Sequence, residues 1–368
     1  MKPNDTILSE IMALRHTLHE IPELSGQETK TMETLKAFLR THTTCSIHEH
    51  NGWFYARRDI APDLPTIAFR ADTDAIVCAA DGQPYHGCGH DGHAAALAGL
   101  AYLTESADSK PNCNLLFLFQ PAEETGEGAK LCCSIFERES VSAICGCHTI
   151  PGFPHGTVLL RDDVFACASR GMVLRFTGRQ SHAAYPETGC NPASVIAALT
   201  TELDTLTQKT EANGHGMVLT TVVGMQVGGR NFGVSPGEGT LCLTVRAHYE
   251  SDLEQLTAAI TERANTLCCS HGITLDTSYL DVFPDTVNDP ALVSLLRKKL
   301  DAASIPHMIL AEPMRWSEDF GHYCRHVPGL FFGIGTGEHA PALHTDGFAF
   351  DDTLLPRILQ VWLSVIGL

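Results

Sequence analysis

The sequence predicts an α/β protein: a three-layer α/β/α domain with a mostly parallel sheet, interrupted by an inserted α+β domain. Apolar strand patterns alternate with helical patterns over residues 5–150, the order that produces a parallel sheet covered by helices. Polar residues stand at the ends of those strands, namely Asp72, Glu123, Glu124 and His148. Sheets of this class place their sites at that edge. Beyond residue 170 the order becomes strand, helix, strand, strand, helix, strand, which is typical of a ferredoxin-like unit.

Hydrophobic periodicity predicts each element of the first domain. Residues 5–20 place Ile7, Ile11, Leu14 and Leu18 on one helical face, as an amphipathic helix requires. Further helices are predicted at 27–39, 94–103, 127–137, 291–302 and 353–366. Strands are predicted at 66–70, 114–120, 143–148 and 330–334.

The inserted domain has its own set of predicted elements. Its strands are 172–176, 217–226, 240–249 and 273–280, and its helices are 191–208 and 251–269. We therefore expect a discontinuous first domain, 1–169 and 284–368, and an inserted domain at 170–283.

Length and composition limit the class of protein. The 368 residues suffice for one large domain or two moderate ones. A net charge of −18 argues against nucleic acid and anionic membranes as partners and fits an enzyme acting on small molecules. No stretch approaches 18 apolar residues, and no signal peptide is visible. Fourteen cysteines in such a chain indicate reduced thiols and a cytoplasmic location.

Residues 86–93 combine one thiol with three imidazoles, separated only by glycine and aspartate. Cysteine and histidine are the side chains that bind zinc and similar ions, and the glycines let Cys88 and His90 point at one centre. The apolar run 94–103 predicts a buried helix with Asp91 as its cap, so the cluster is expected on the loop before it. The alternative is a helix cap with an incidental thiol.

Glu123 and Glu124 form a second chemical signal where a predicted strand ends. Adjacent carboxylates repel, so one is expected to bind a cation or to have a raised pKa. Because neighbouring side chains diverge at a strand end, one carboxylate can bind a metal while the other acts as general base. Taken alone, the pair slightly favours a solvated helix start over a catalytic site, and His148 alone favours a core histidine over a ligand.

Several motifs follow one another in a specific order: residues 18–24, 70–75, 88–93, 120–124, His148 before Pro151, 181–184, 317–320, and His344 followed by Phe348 and Phe350. Together they resemble the M20 metallopeptidase family, and in particular its amidohydrolase branch. That branch includes hippurate hydrolases, auxin-conjugate hydrolases and N-acyl-amino-acid deacylases. The resemblance covers nearly the whole chain and implies a zinc-exopeptidase-like catalytic domain.

The resemblance implies a site for two divalent ions, for which such donors favour Zn²⁺, Mn²⁺, Co²⁺ or Ni²⁺. The implied ligands are Cys88, His90, Glu124, His148 and His344. In the family the thiolate bridges the ions and the preceding glutamate, here Glu123, is the general base. His339 is a rival to His344 but lacks the downstream aromatic residues. The family pattern leaves His86 and His93 outside the ligand set, and Asp72 and Asp91 are expected to support the ligands.

For residues 170–283 the resemblance implies a mobile lid that also mediates a homodimer. His182 would stabilise the oxyanion once the lid closes; the alternative is a surface histidine. Arg246 is a candidate for binding the product carboxylate, although an exposed strand arginine is an equal reading. In the loop 228–236, Gly233 stands where relatives carry a substrate-binding asparagine, and Asn231 lies two residues away.

The resemblance therefore predicts a binuclear hydrolase that cleaves the amide bond of N-acyl amino acids. A dipeptidase or exopeptidase of the same family is the alternative, because the chemistry is shared and only the free amine of the substrate differs. A non-enzymatic metal-binding relative is a third possibility. The presence of Glu123 counts against it, because metal storage needs ligands but no base.

Overall fold

The structure is a computed structural model that describes residues 5–107 and 109–367. Its α-helices are α1 (Asp5–His19), α2 (Thr29–His42), α3 (His90–Glu105), α4 (Gly128–Cys132), α5 (Ala193–Asn213), α6 (Glu250–His271), α7 (Pro290–Ala302), α8 (Gly321–Cys324) and α9 (Leu355–Val365). Short 3₁₀ helices lie at Cys133–Glu137, Pro186–Thr188 and Asp352–Leu354. The helix predicted at 127–137 is therefore split between an α-helical and a 3₁₀ segment.

The strands are β1 (Ser46–Glu49), β2 (Phe54–Arg58), β3 (Thr66–Asp72), β4 (Ile76–Val77), β5 (Pro84–Tyr85), β6 (Asn114–Gln120), β7 (Ala143–Ile150), β8 (Val158–Leu160), β9 (Asp163–Ala166), β10 (Ala168–Thr177), β11 (Ser181–His182), β12 (Val218–Val227), β13 (Val234–Ser235), β14 (Glu238–Ala247), β15 (Thr274–Phe283), β16 (Thr286–Asn288), β17 (His307–Ile309) and β18 (Gly329–Gly335). Every predicted strand has a counterpart, and the other ten strands of the described residues, each of five residues or fewer, were not predicted. Their brief and partly mixed patterns do not form a recognisable apolar run.

The chain forms two compact units. The first comprises Met1–Phe165, Thr286–Glu312 and Asp319–Leu368, and the second comprises Ala166–Asp285 and Pro313–Glu318. The predicted insertion at 170–283 differs by a few residues at each end, and the prediction places residues 313–318 in the first domain. They join the second unit because the Cys167 N–H donates to the carbonyls of Met314 and Trp316, both at 3.1 Å. Periodicity along the sequence carries no signal for such a pairing.

An eight-stranded sheet forms the centre of the first unit, in the order β1-β2-β6-β3-β7-β18-β8-β17. Strands β6, β3, β7 and β18 are mutually parallel, while β2 and β8 run antiparallel to their inner neighbours. Every residue of β6 and β7 is buried, as expected for strands covered on both faces. The predicted α/β class with a large, mostly parallel sheet is confirmed.

The second unit contains a four-stranded antiparallel sheet in the order β12-β14-β10-β15. Helices α5 and α6 contact this sheet and enclose a separate apolar core with it. The elements follow the predicted order of strand, helix, strand, strand, helix, strand. Strand β12 lies at an edge of the sheet. In the described ranges, none of the helices is both long and apolar enough to cross a membrane.

Candidate metal centre

The candidate site lies at the carboxyl edge of the parallel strands. β3 leads into Asp74, β6 leads into Glu123 and Glu124, and β7 carries His148 near its end. These strands are neighbours and parallel, so their carboxyl ends meet at one edge, where α/β sheets bind ligands. Helix α3 begins there with His90.

The structure brings together all five ligands that the family resemblance implied. The donor atoms of Cys88, His90 and His148 lie within 4.8 Å of one another, and so do those of Cys88, Glu124 and His344. A third such group joins His90 and Glu124 to Glu123. Among the described residues, neither His339 nor His86 belongs to a group of this kind. The geometry therefore favours His344 over its rival.

The first sign that this cluster fits a cation is a pair of buried atoms without hydrogen-bond partners. His90 Nδ1 donates to Asp74, with 3.0 Å to the carbonyl oxygen and 3.1 Å to Oδ1, so Nε2 is the ring nitrogen that faces the site. That Nε2 lies 3.9 Å from Glu124 Oε1, and both atoms are buried without a partner. Such atoms are rare and require an explanation. A cation placed between the two atoms would give both of them a partner.

Cys88 and His148 give the second sign. His148 Nδ1 donates to the Thr149 carbonyl at 2.8 Å, and its Nε2 lies 3.3 Å from Cys88 Sγ. Burial and the neighbouring His93 hold the pKa of His148 well below its usual range, so this imidazole is neutral. Burial also raises the pKa of the Cys88 thiol, and the charges of Glu124 and Glu123 raise it further. A bound cation reverses this tendency and makes the thiolate a ligand.

Carboxylates dominate the electrostatics of the site. Burial alone would lower the pKa of His90, but Asp72, Asp74 and Glu124 outweigh it and raise that pKa to about 10. Burial opposes ionisation of Asp74, yet hydrogen bonding to His90 lowers the pKa of Asp74 overall. These carboxylates favour a positive charge at His90, which a bound cation would supply in place of the proton on Nε2. This environment and its sulfur, nitrogen and oxygen donors fit divalent ions.

Two residues near the cluster have left-handed backbone conformations that are unusual outside glycine. Ala122 has φ 53° and directly precedes the two glutamates, and His344 has φ 61°. Such strain persists only where the surroundings enforce it, and it concentrates at functional sites. The His344 N–H donates to the Gly87 carbonyl at 2.9 Å, which ties its loop to the segment that carries Cys88. His344 Nε2 lies 3.3 Å from Glu124 Oε1.

The predicted role of Asp91 as a helix cap is wrong. Helix α3 begins at His90, four residues before the predicted start, and the preceding Gly89 has φ 87°. Asp91 therefore lies inside the first turn, where a carboxylate suits the helix dipole. Its side chain accepts from His19 at 2.7 Å and lies 3.6 Å from Arg15. Within residues 5–107 and 109–367, no hydrogen bond joins Asp91 to a candidate ligand. The expectation that Asp91 supports the ligands therefore has no hydrogen bond in its favour.

Asp72 is not itself one of the candidate ligands but bonds to a histidine beside them. Asp74 contacts two of the candidate ligands directly, which the sequence did not predict. Asp72 bonds to His93 Nδ1 at 2.8 Å and accepts from Arg70 at 2.7 Å. Asp74 orients His90 and also accepts from the Glu124 N–H at 3.0 Å. The available signal was a second aspartate two residues after Asp72, at the same strand end. A carboxylate that orients a ligand histidine also fixes its tautomer.

Comparison with known proteins identifies the family. The sequence pattern of Peptidase family M20/M25/M40 matches residues 68–367. The chain belongs to this family. The resemblance inferred from the motifs is thereby confirmed, and the chain is an M20 family hydrolase.

Relatives of this M20 family hydrolase carry informative names. It is 30% identical to N-acetyl-L-cysteine deacetylase of Bacillus subtilis (strain 168) over 365 residues, covering 95% of this chain and 86% of that protein. It is 27% identical to N-acetyldiaminopimelate deacetylase of Exiguobacterium sibiricum, covering 95% and 96%. A crystal structure of a dinuclear metal-binding M20 peptidase from Bacillus subtilis superimposes with a TM-score of 0.82 at 23% identity, covering 99% of each chain. This structural similarity shows that the chain has the same fold as that protein.

The remaining candidate residues of the M20 chain belong to the second unit. His182 lies in β11, paired with Val234 of β13, and its ring is exposed. Its Nδ1 accepts from the Ala184 N–H at 3.0 Å, so Nε2 carries the proton and is available as a donor. The exposed Asn231 accepts from the Gly233 N–H at 3.2 Å. Arg246 of β14 donates to Ser317 Oγ at 2.8 Å.

Proposed function

We propose that this M20 family hydrolase is a binuclear metal-dependent amidohydrolase that cleaves the amide bond of N-acyl amino acids or related conjugates. One observation carries the proposal: the atoms His90 Nε2 and Glu124 Oε1 face each other, buried and without hydrogen-bond partners, beside the buried Glu123. The names of the deacetylases to which the chain is similar support this choice of substrate class.

Cys88, His90, Glu124, His148 and His344 would hold the two ions. Their mixed sulfur, nitrogen and oxygen donors suit Zn²⁺, Mn²⁺, Co²⁺ or Ni²⁺ better than Ca²⁺ or Mg²⁺. When bound, such ions supply Lewis acidity, which acidifies water and polarises a carbonyl group. Asp74 and the Thr149 carbonyl keep the Nε2 lone pairs of His90 and His148 directed at the site.

Glu123 is the general base of the proposed reaction. Its side chain is buried, with 5% of the residue exposed, and a carboxylate oxygen lies within 4.8 Å of donor atoms of His90 and Glu124. It accepts a proton from the attacking water and delivers it to the leaving amine. Glu124, which faces His90 and His344, would serve as a ligand. Burial excludes competing water from the carboxylate that moves the proton.

The substrate class is tested with a panel of N-acyl amino acids and matched dipeptides, with the free amine detected by mass spectrometry. We expect turnover of at least one N-acyl amino acid to exceed turnover of the matching dipeptide. A preference for dipeptides throughout the panel would favour the exopeptidase alternative. No turnover of either class by the metal-loaded protein would favour a non-enzymatic relative.

His182 is proposed to donate a hydrogen bond to the oxyanion, as part of a lid formed by residues 170–283. Its Nε2–H is available because Nδ1 is occupied by the Ala184 N–H. Removing one oxyanion donor typically lowers kcat by about 10²–10³-fold. We expect His182→Ala to lose on that order while keeping its metal content and melting temperature. A kcat equal to that of wild type in this variant would show that His182 is a surface residue without a catalytic role.

The second unit is also proposed to mediate a homodimer. Its edge strand β12 exposes Leu219, Val222, Val223 and Met225, and an unpaired apolar edge favours pairing with a twofold copy. We expect mixing His182→Ala with Glu123→Gln to restore activity if His182 acts across the dimer. Light scattering that gives a monomer at all concentrations would contradict the proposed dimer.

A cytoplasmic location is likewise proposed, supported by fourteen free cysteines.

A further inference from the structure

Residues 121–128, the base loop, carry Glu123 and Glu124. Backbone hydrogen bonds within this loop hold it closed. The Ala122 carbonyl accepts from the Gly128 N–H at 3.0 Å, and the Glu123 carbonyl accepts from the Gly126 N–H at 2.8 Å. A Cβ added at Gly128 would lie 1.7 Å from the Pro121 carbonyl oxygen, so only glycine allows this approach. The direction of the Glu123 side chain therefore depends on the backbone at Ala122.

Two buried carboxylates hold the N–H groups on either side of Glu123. Glu28 Oε1 accepts from the Ala122 N–H at 2.8 Å, and Asp74 Oδ2 accepts from the Glu124 N–H at 3.0 Å. Asp74 also accepts from Ser25 at 2.7 Å and orients His90. Asp74 therefore serves two candidate ligands, whereas Glu28 bonds to the residue that precedes the base.

The position of Glu28 before helix α2 would suggest a capping role, but its side chain makes no capping hydrogen bond. The carboxylate of Glu23 accepts instead from the Thr31 N–H at 2.9 Å and the Lys30 N–H at 3.2 Å. Glu28 is 4% exposed. Burial raises its pKa to about 7, the Ala122 N–H opposes that change, and the charge of Asp74 adds to it. A carboxyl kept in so unfavourable a place, without a capping hydrogen bond to its own helix, is a candidate for function.

We propose that Glu28 is a positioning residue for amide hydrolysis: by accepting the Ala122 N–H it holds the left-handed backbone that aims the Glu123 carboxylate. The inference rests on the proposed function, in which Glu123 is the base. Alanine avoids φ 53° when nothing enforces it, and hydrogen bonds that involve a carboxylate are among the stronger ones. Without Glu28 the base loop is free to relax at Ala122. A shift of about 1 Å in a reacting group can lower turnover by roughly 10²-fold.

Three variants test the proposal. Glu28→Met keeps the length of the side chain and removes the acceptor, whereas Glu28→Gln keeps an oxygen that can accept the same N–H. Glu33→Ala, an exposed glutamate of the same helix, is the matched control. We expect Glu28→Met to lower kcat by about 10–10²-fold with unchanged metal content and a KM within about twofold. Glu28→Gln should stay within a few-fold of wild type, and Glu33→Ala should match wild type.

A double-mutant cycle separates positioning from a general effect on folding. If Glu28 acts through Glu123, Glu28→Met should lower turnover no further once Glu123→Gln is present. Amide hydrogen exchange of the metal-free protein gives a readout independent of turnover. The Ala122 amide should exchange slowly in wild type and Glu28→Gln, and faster in Glu28→Met.

The outcomes that overturn the inference are separable from failure of the proposed function. Wild-type kcat in a folded Glu28→Met variant, beside an inactive Glu123→Gln variant, overturns the role of Glu28 alone. Equal losses in Glu28→Met and Glu28→Gln also overturn it, because the second variant keeps an acceptor. An active Glu123→Gln variant would overturn the base assignment and, with it, the role of Glu28.

Discussion

Glu123→Gln is expected to bind its metal ions normally and to lose most of its turnover. The substitution keeps the shape of the side chain but removes the group that accepts the proton from water. General acid–base catalysis contributes about 10²–10⁴-fold, so kcat should fall on that order. Steady-state kinetics on metal-loaded protein measures the loss, and elemental analysis of the same sample shows that the ions are retained.

Glu124→Gln is the matched control, because it alters the neighbouring carboxylate of the same loop. Glu124 Oε1 faces His90 and His344, at 3.9 and 3.3 Å from their Nε2 atoms. A neutral amide in its place should therefore lose metal, and activity should fall as a consequence. If Glu124→Gln keeps its ions while Glu123→Gln loses them, the roles of the two carboxylates are reversed.

The second large effect is expected from removal of the metal. Chelation should abolish hydrolysis, and addition of Zn²⁺, Mn²⁺, Co²⁺ or Ni²⁺ singly should restore it and identify the most effective ion. Burial favours the protonated Cys88 thiol in the absence of a cation, so binding releases a proton and should weaken as pH falls. Titration calorimetry in two buffers of different ionisation enthalpy measures that proton. Full hydrolysis by demonstrably metal-free protein would contradict the assignment of this site as a catalytic metal centre.

Cys88→Ser separates this ligand from the other cysteines. Serine keeps a small polar side chain but does not form an anion as readily as a thiol, so binding of at least one ion should weaken. Cys269→Ser is the control, since Cys269 is an exposed free thiol. Equal metal content in the two variants would remove Cys88 from the ligand set.

The sequence alone predicted the central strands and the chemistry of the site. Strand β6 was predicted with its observed bounds, 114–120, because its buried positions include an uninterrupted apolar run, 115–119. Cys88, His90 and the two glutamates stand out by residue type, but their roles as ligands and base come from the resemblance to the M20 family and stay predictions. The edge strands β1 and β17 of the large sheet were not predicted, because short strands with partial burial carry no comparable pattern.

Only the tertiary structure revealed what holds these groups in place. The roles of Asp74 and Glu28 depend on which backbone N–H each carboxylate reaches, and those donors lie 50 and 94 residues away along the chain. The left-handed backbone of Ala122 and the start of helix α3 at His90 depend likewise on surrounding contacts. Residue type and spacing determine which groups can react. Their aim depends on hydrogen bonds between distant segments, which form only when the chain has folded.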